Sequence, residues 1–421
     1  MRKSFMLSIA ALCFGIASAD TYGPDASGQT WTYTVNGDAV TLTGVGDKTI
    51  TVDAANIPWV IDGKPVTTVG SQAFRYWANL TGTLAIPDSV TKIELAAFSD
   101  CTGLTGIASW GGITTWGDWA FRGCKNMTGA FPDLSNTVAL GGYMLGDVPL
   151  TGTLKLNPAL TLVPRLAFDN CVFGGTAVVP ASVETVGHNS AYGTFCGNPN
   201  LEAVWVKGKA TGTTTVWVYN FAGSCKSLEM VLMGKNTNGG RIGVNTTLPS
   251  TSGVEWFAPA NATWDALTTS TIGGTGNKVW KYGPDEDFDL EIDDVAMTAT
   301  ITPKTADALV NALAWAPKFK RLFNLDTVIS ITGSITVPEG AITAEMLQCV
   351  KLDSPSWFMT FAVKTQAQLD AVLAAVDGPV VVDITGSKEE ITVPEGRSVA
   401  VLVPGGAAFN YRRRGLIIVF K

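Results

Sequence analysis

A short phrase returns at nearly constant intervals along the first half of the 421-residue chain. It contains Leu or Met followed by Thr-Gly, then an apolar stretch that closes on Pro, then Ala-Phe and Cys. The copies begin at Leu80, Leu104, Met127 and Leu150, so the step from one copy to the next hardly varies. A fixed period of this length is typical of a solenoid, because one supersecondary unit cannot bury its apolar face without a neighbour.

The best preserved copy of this unit predicts how each coil is built. Leu84 and Ile86 are two positions apart and therefore share one face of a strand, which Pro87 ends because proline cannot donate to a ladder. The Ala-Phe pair moves with the period, and the later copies drift to slightly longer steps. Its aromatic positions are Phe74, Phe98, Phe121, Phe168, Phe195 and Phe221, with Leu145 standing in place of one Phe.

The cysteines follow the repeat. Cys101, Cys124 and Cys171 each lie at the third position after the Phe of their unit, so they occupy one position of the coil. Unpaired cysteine is a small apolar residue that is often buried, which favours an interior column. A disulfide between Cys101 and Cys124 in adjacent coils is the alternative, and a metal site is disfavoured because the chain has one His and no Cys-x-x-Cys pair.

The N-terminal segment 1–19 has the pattern of a signal peptide. Arg2 and Lys3 precede an apolar stretch, and Ala17-Ser18-Ala19 is a small-x-small cleavage site. We therefore expect cleavage after Ala19 and export to the cell surface or the medium. No later stretch has the roughly 18 apolar residues that a membrane helix requires.

The sequence predicts a β-rich repeat solenoid of the leucine-rich-repeat type, with a period of about 23–27 residues, followed by a separate C-terminal α+β domain. A hairpin around Asn36-Gly37 is expected to cap the open end of the solenoid. The α+β domain has helical spacing over 306–323 and 366–376 and strands before and after these segments. The expected divisions are 1–19, signal; 20–56, cap; 57–232, solenoid; 233–281, linker and closing cap; and 282–421, α+β domain.

The order of motifs in the unit resembles the BspA-type leucine-rich repeat of bacterial surface proteins. The resemblance rests on Ile86-Pro87 with Val90 and Ile93, followed by Ala97-Phe98 and by Cys101 with Leu104, and it covers roughly residues 57–232. It implies a right-handed solenoid at the cell surface or in the medium. It also implies adhesion-like binding of a protein or surface partner, without catalysis and without a cofactor.

Three tryptophans in one coil are the candidate binding residues. Trp110, Trp116 and Trp119 fall within a single period of the repeat, and aromatic side chains on a solenoid surface stack on sugars or anchor a protein partner. The alternative is that they pack between coils. Exposure of these side chains favours binding, and burial favours a structural role.

An acidic segment is the candidate metal site. Alternation places Asp287, Asp289, Glu291 and Asp293 on one face of a predicted strand. Ca²⁺ is the oxygen-seeking ion that relieves repulsion between such carboxylates, although this segment lacks the glycine turn and terminal Glu of an EF-hand loop. The alternative is a solvated strand face whose charges prevent aggregation.

Charge and motifs narrow the classes of function. A net charge of −7 and a pI near 4.9 disfavour a nucleic-acid partner, which requires a basic surface. His188 is the one histidine, and no Gly-x-Ser-x-Gly elbow accompanies it. A binding scaffold is favoured over a structural, self-assembling envelope component, and both are favoured over a carbohydrate-active enzyme, whose two carboxylates need no sequence motif.

Overall fold

The structure of the chain is a computed structural model. The expected signal peptide and much of 233–281 lie outside the described residues. The chain divides into two compact units, Met1–Gly152 with Pro164–Val172 and Thr153–Val163 with Phe173–Lys421. The described residues are 19–188, 193–209, 211–216, 222, 224–234, 237–239, 253–259, 278–282, 287–330, 335–337, 349–353, 359–375, 380–384, 387–388, 391–392, 399–402, 408–412 and 416–420.

The first unit is built from short strands, most of which pair in parallel with the same strand of the next coil. The strands are β1 Asp20–Tyr22, β2 Trp31–Asn36, β3 Ala39–Val45, β4 Val52–Asp53, β5 Val60–Ile61, β6 Lys64–Val69, β7 Leu80–Ile86, β8 Lys92–Ile93, β9 Leu104–Trp110, β10 Thr115–Trp116, β11 Gly129–Ala130 and β12 Leu150–Thr151. One ladder runs β4-β7-β9, and a second runs β3-β6-β8-β10. The predicted solenoid is confirmed, because strands of successive coils up to β9 and β10 stack in parallel in these two ladders.

The predicted hairpin is confirmed at the start of this unit. β2 pairs with β3 in antiparallel register from Trp31↔Val45 to Asn36↔Ala39, and β3 then pairs in parallel with β6. The Trp31 ring is fully buried and packs against Phe74, with a centroid distance of 6.0 Å. Trp31 therefore covers the first ring of the repeat, which has no preceding coil to bury it.

The Ala-Phe rings form a column through the coils. The Phe98 ring lies 5.0 Å from that of Phe74 and 4.8 Å from that of Phe121, measured between centroids. Leu145, which stands in place of Phe in the next coil, is also fully buried. The column is therefore continuous in burial although one ring is replaced by an aliphatic side chain.

The turn around each Ala-Phe pair contains two residues in the left-handed region, four positions apart. We call these five turns, 72–76, 96–100, 119–123, 143–147 and 166–170, the αL ridge. Amides of one turn donate to carbonyls of the next coil, for example Trp119 N to Gly142 O at 2.9 Å and Asp100 N to Arg122 O at 2.7 Å. The left-handed residues are Gln72, Tyr76, Ala96, Asp100, Trp119, Gly123, Tyr143, Asp147, Leu166 and Asn170.

The cysteines of the repeat occupy the interior, as predicted, and they do not form the alternative Cys101–Cys124 disulfide. Each buried thiol donates a hydrogen bond to the carbonyl of the ring position of the preceding coil, Cys101 to Phe74 at 3.0 Å and Cys124 to Phe98 at 3.1 Å. Cys171 makes the same bond to Leu145 at 3.2 Å. The cysteine column is thus a set of small buried donors that connect adjacent coils.

These thiols are expected to resist alkylation in the native protein. Burial raises the pKa of Cys101 to about 12 and raises the pKa values of Cys124 and Cys171 as well, and the thiolate is the reactive form. Iodoacetamide under mildly alkaline conditions should leave the three residues unlabelled in mass spectrometry, whereas the same treatment in urea should label all of them. Native labelling of Cys124 at the rate seen in urea would contradict an interior column.

The second unit begins with further coils. The parallel ladder β14-β16-β18-β20-β21 continues beyond residue 232, so two segments of the expected linker, 233–281, are strands of the same sheet. A second ladder runs β13-β15-β17-β19. The strands are β13 Leu162–Val163, β14 Gly175–Val179, β15 Thr185–Val186, β16 Leu201–Val206, β17 Thr214–Val216, β18 Met230–Met233, β19 Thr237–Gly239, β20 Glu255–Pro259 and β21 Lys278–Tyr282.

The C-terminal part of this unit is α+β, as predicted. α1 begins after Thr305, whose side chain accepts from Ala308 N, and a π-helical turn follows it over Phe319–Phe323. The second predicted helix is observed as α2. The elements are β22 Phe288–Asp293, β23 Thr298–Pro303, α1 Ala306–Lys318, β24 Asp326–Ser330, β25 Ile335–Val337, β26 Val350–Asp353, β27 Met359–Ala362, α2 Gln366–Ala375, β28 Val380–Asp383, β29 Val399–Leu402, β30 Ala408–Arg412 and β31 Leu416–Phe420.

α1 and its π-helical turn pack on the late coils of the same unit. The register aligns one residue from each of five strands in a row, and this row contacts the helix. Phe257 packs against Trp315 and Phe319, with centroid distances of 4.9 and 5.3 Å, and Trp205 packs against Phe323 at 5.8 Å. The aligned row, which we call the apolar row, is Val178, Trp205, Leu232, Phe257 and Trp280.

A row of glutamates lies beside the apolar row. Glu202, Glu229 and Glu255 come from successive coils, and like charges this close repel. Arg321 bridges the first two, with N–O distances of 3.1 and 2.6 Å, while Lys318 lies 3.3 Å from Glu255. The helix therefore supplies both the apolar cover and the countercharges for this part of the sheet.

Candidate ligand-binding surface

The structure separates the three candidate tryptophans. Trp110 is half-buried and lies 5.5 Å from Trp116 and 5.2 Å from Phe121 between ring centroids. Trp116 is 3% exposed, and its indole N–H points to Thr137 Oγ1 at 3.2 Å. Trp110 and Trp116 thus pack between coils, and Trp116 presents no surface to a ligand.

Trp119 belongs to the αL ridge instead. Its side chain is 39% exposed and its φ is +59°. A bulky residue at positive φ is uncommon and costs about 1–2 kcal/mol, because its Cβ approaches the following carbonyl oxygen. The ladder of backbone hydrogen bonds between coils holds Trp119 in this conformation and fixes the direction of the ring. The binding role of the three residues stays a prediction. Of the three, Trp119 is the one whose exposure fits that role.

The ridge carries further aromatic and arginine side chains besides Trp119. Tyr76 is 61% exposed, and the guanidinium carbon of Arg75 lies 4.5 Å from the centre of the Tyr76 ring. Arg122 stacks in the same way on Tyr143, at 4.9 Å. Tyr and Arg are, with Trp, the side chains that most often dominate binding energy at protein surfaces.

A polar network fixes the second of these stacked pairs. The Tyr143 hydroxyl donates to Asp147 at 3.0 Å, and Asn170 donates to the other oxygen of that carboxylate at 2.8 Å. Burial, followed by the nearby carboxylates, raises the pKa of Tyr143 to about 12, although its hydrogen bond with Arg122 opposes this. Tyr143 therefore remains a neutral phenol that orients both neighbours.

Partial burial lowers the pKa of Arg122, but the hydrogen bond with Tyr143 and the carboxylates of Asp100 and Asp147 outweigh this and hold it above its usual value. The guanidinium is permanently charged in any case. Arg122 is thus a cation held in place by three coils at once, since Asp100, Tyr143 and Asp147 come from the turns on either side of its own.

The sequence contained a signal for these residues that the search for tryptophan clusters missed. Arg75, Tyr76 and Arg122 follow the ring position of their coil by one or two positions, and Tyr143 precedes it by two. Alignment of the units on the Ala-Phe pair places them, together with Trp119, in one set of turns. A comparison of the variable positions around the fixed pair would have found the surface.

The acidic candidate lies on β22. Phe288 and Leu290 are buried, while Asp289 is half-buried and Glu291 and Asp293 are exposed, so the predicted alternation is confirmed. Asp289 pairs with Lys304 at 2.9 Å, and Asp293 accepts the backbone N–H groups of the turn that follows. Within the described ranges, no three His, Cys, Asp or Glu side chains are arranged to hold a metal ion. A calcium role for Asp287, Asp289, Glu291 and Asp293 stays a prediction.

Two other features of the sequence have simple places in the structure. His188 is exposed at a coil turn. The outward strand positions of the first unit are small and exposed, as at Ala85, Ala108 and Ala130, whereas the equivalent side of the late coils is covered by α1. Among the helices in the described part of the chain, none is long and apolar enough to cross a membrane.

The coil geometry agrees with what the family comparison finds. The model of the BspA type Leucine rich repeat region matches residues 67–202 in six copies. Over residues 67–202 the chain is thus similar to the BspA-type leucine-rich repeat region. The resemblance stated from Ile86-Pro87, Ala97-Phe98 and Cys101 is therefore confirmed over this segment. A search of curated proteins finds no match.

Solved structures of bacterial leucine-rich repeat proteins are similar to the chain at low identity. A leucine rich cell surface protein from Faecalibacterium prausnitzii is 13% identical, covering 64% of this chain and 96% of its own, with a TM-score of 0.32. A leucine rich repeat protein from T. pallidum is 21% identical, covering 58% and 94%, with a TM-score of 0.34. One from Eubacterium ventriosum is 14% identical, covering 91% and 93%, with a TM-score of 0.31.

Proposed function

We propose that this protein is an exported, non-catalytic scaffold that binds a protein or surface partner through the αL ridge. The observation that carries the proposal is the exposure of Tyr76 and Trp119 on backbone that is fixed by bonds between coils. Rigid aromatic side chains contribute a large contact area at a low cost in conformational entropy. Binding through them therefore requires little ordering of the scaffold.

The ridge is favoured over the other faces of the repeats for a chemical reason. The outward strand row of the first unit offers the methyl groups of Ala85, Ala108 and Ala130, which give little contact area and no hydrogen bonds. In the late coils the corresponding side is already occupied by α1. The ridge combines exposed rings with arginines, and this composition is typical of binding surfaces.

Binding is tested with beads coated with the full protein and applied to extracellular-matrix extract, epithelial cells and bacterial cells. Trp119→Gly, combined with Tyr76→Ala, should remove most bead retention on the surface that binds the wild type. Glycine occupies the left-handed region without a Cβ penalty, so the turn is preserved at position 119. Tyr22→Ala removes a ring that is 37% exposed and lies off the ridge, and it should leave retention unchanged.

Two results would contradict this function. Equal retention of the ridge variant and the Tyr22→Ala variant would show that the ridge is not the binding face. Oligomers seen by light scattering at low protein concentration, with no retention on any surface, would favour the structural, self-assembling alternative instead.

Export is tested at the N-terminus. If residues 1–19 are a signal peptide, mass spectrometry of the protein recovered from the medium or the cell surface should find Asp20 as the first residue. Recovery inside the cell with Met1 intact would remove this part of the proposal and leave the binding test unaffected.

A further inference from the structure

The αL ridge presents its side chains with the periodicity of a linear polymer. Backbone hydrogen bonds connect the turns of successive coils, such as Tyr143 N to Arg165 O at 3.2 Å and Asp147 N to Asp169 O at 3.0 Å. Adjacent strands are spaced by about 4.8 Å, so the turns of Tyr76 and Tyr143, three coils apart, are separated by about 14 Å. The distance of about 4.8 Å between adjacent coils is therefore similar to the length of one sugar unit.

The polar groups of the ridge suit a ligand covered with hydroxyls. Asp118 is exposed and uses one oxygen to accept Gly142 N at 2.7 Å, which fixes the direction of the second oxygen. Asn170 and Arg165 are exposed in the turn that begins at Leu166 and just before it. Carboxylates accept, guanidinium groups donate, and a sugar hydroxyl does both. Paired acceptors and donors of this kind therefore satisfy neighbouring hydroxyls of one ring.

The aromatic groups suit the same ligand better than they suit a protein. The strongest anchors of protein interfaces lie in pockets from which water is excluded, whereas Tyr76 and Trp119 stand on tight turns with 61% and 39% of their surface in solvent. Polar residues separate the two rings along the ridge, so they do not merge into one apolar patch. The C–H face of a sugar ring is apolar and slightly positive, and it stacks on the negative face of an aromatic ring.

From this arrangement we propose that the ligand of the αL ridge is a linear polysaccharide, whose sugar rings stack on Tyr76 and Trp119 and whose hydroxyls bond to the carboxylates and arginines along the ridge. The proposal rests on the proposed function, because it names the partner of the same surface. It predicts that affinity grows with chain length until the polymer spans the ridge.

The test is calorimetric titration of the full protein with hexamers and dimers of β-linked glucose, β-linked N-acetylglucosamine and mannose. At least one hexamer should bind. The affinity of the corresponding dimer should be lower by a factor of about ten or more, since a dimer contacts one aromatic ring instead of two. Trp119→Gly should weaken binding of that hexamer about tenfold. The matched control is Tyr22→Ala, which should leave the affinity unchanged.

The outcomes separate the ligand from the surface. Binding of a hexamer that is insensitive to Trp119→Gly would overturn the ridge as the sugar site. Binding of no hexamer, together with ridge-dependent retention on a surface whose retention is abolished by protease treatment, would overturn the polysaccharide and keep the proposed function. Equal affinities for the hexamer and the dimer would also overturn it, because contact with one aromatic ring would then be sufficient.

Discussion

Phe98→Ala is expected to lower the free energy of unfolding of the first unit by about 3–5 kcal/mol, the usual cost of removing a buried ring. Phe98 has no exposed surface, and its ring lies between those of Phe74 and Phe121 at centroid distances of 5.0 and 4.8 Å. Removing it leaves a cavity that the coils above and below cannot fill, because the amide ladders fix their spacing. Urea unfolding, followed by tryptophan fluorescence, measures the loss.

The chain itself supplies the matched control. Leu145 occupies the ring position of its own coil and is fully buried, so the column accepts an aliphatic side chain of suitable length. Phe98→Leu should therefore cost about 1–2 kcal/mol, well below the alanine variant. Equal losses for the two variants would show that ring stacking, and not filled volume, stabilises the column.

The effect should also be local. Each coil of a solenoid contacts only its neighbours, so stability is approximately a sum of coil and interface contributions. Hydrogen exchange should increase for amides of the coils of Phe74, Phe98 and Phe121. The amides of α1, in the second unit, should keep their protection. Loss of protection there would mean that the two units unfold together.

The repeat was predictable because its signal is periodic and its chemistry is simple. A fixed step between apolar residues determines which side chains face inward, and this was sufficient for the solenoid and the cysteine column, whereas the turn Asn36-Gly37 predicted the N-terminal hairpin. Burial of Trp116 was available from the same step, since it lies one period after Ile93 and pairs with it in the second ladder. A position aligned with buried Ile93 is an interior position whatever residue occupies it.

The αL ridge was harder to predict because its backbone is imposed from outside. Asp, Asn and Gly adopt the left-handed region readily, and they mark the second position of several turns. The first position is held by Gln72, Ala96, Trp119, Tyr143 and Leu166, none of which indicates positive φ from its own propensity. Hydrogen bonds to the next coil stabilise the left-handed conformation at these positions. The local sequence does not indicate those bonds.

The strands beyond residue 232 were not predicted, for a related reason. Residues 233–256 are rich in Gly, Asn, Thr and Ser, a composition that indicates loops. Strands β20 and β21 are five residues each, too short to give a clear alternation against that background. Their pairing depends on strands of the preceding coil, so the sequence of the segment alone does not indicate it.

Trp315→Ala is expected to detach α1 from the late coils and to lower the free energy of unfolding of the second unit by about 3–5 kcal/mol. Trp315 is 1% exposed and lies 4.9 Å from Phe257, 4.7 Å from Trp280 and 5.3 Å from Phe288 between ring centroids. Hydrogen exchange of the amides of α1 and β22 should increase strongly. The amides of the coils that contain Cys101, Cys124 and Cys171, in the first unit, should stay protected.

The variant also removes a hydrogen bond to a charged group. The Trp315 indole N–H donates to Glu255 Oε1 at 3.1 Å, and that carboxylate is largely shielded from solvent, with 16% of its side chain exposed. Trp315→Phe keeps a six-membered ring but loses this bond and part of the buried indole, so it should cost at least the roughly 1.5–3 kcal/mol of a hydrogen bond to a charged group. The difference between the two variants measures the contribution of the ring that phenylalanine retains.

Arg321→Ala distinguishes packing from charge as the cause of docking. Arg321 pairs with Glu202 and Glu229, but half of its side chain is exposed, and exposed ion pairs contribute about 0–1 kcal/mol because water screens them. We therefore expect a small loss for this variant, and one that shrinks further in high salt. A loss as large as that of Trp315→Ala would mean that the glutamate row, and not the apolar row, holds the helix against the coils.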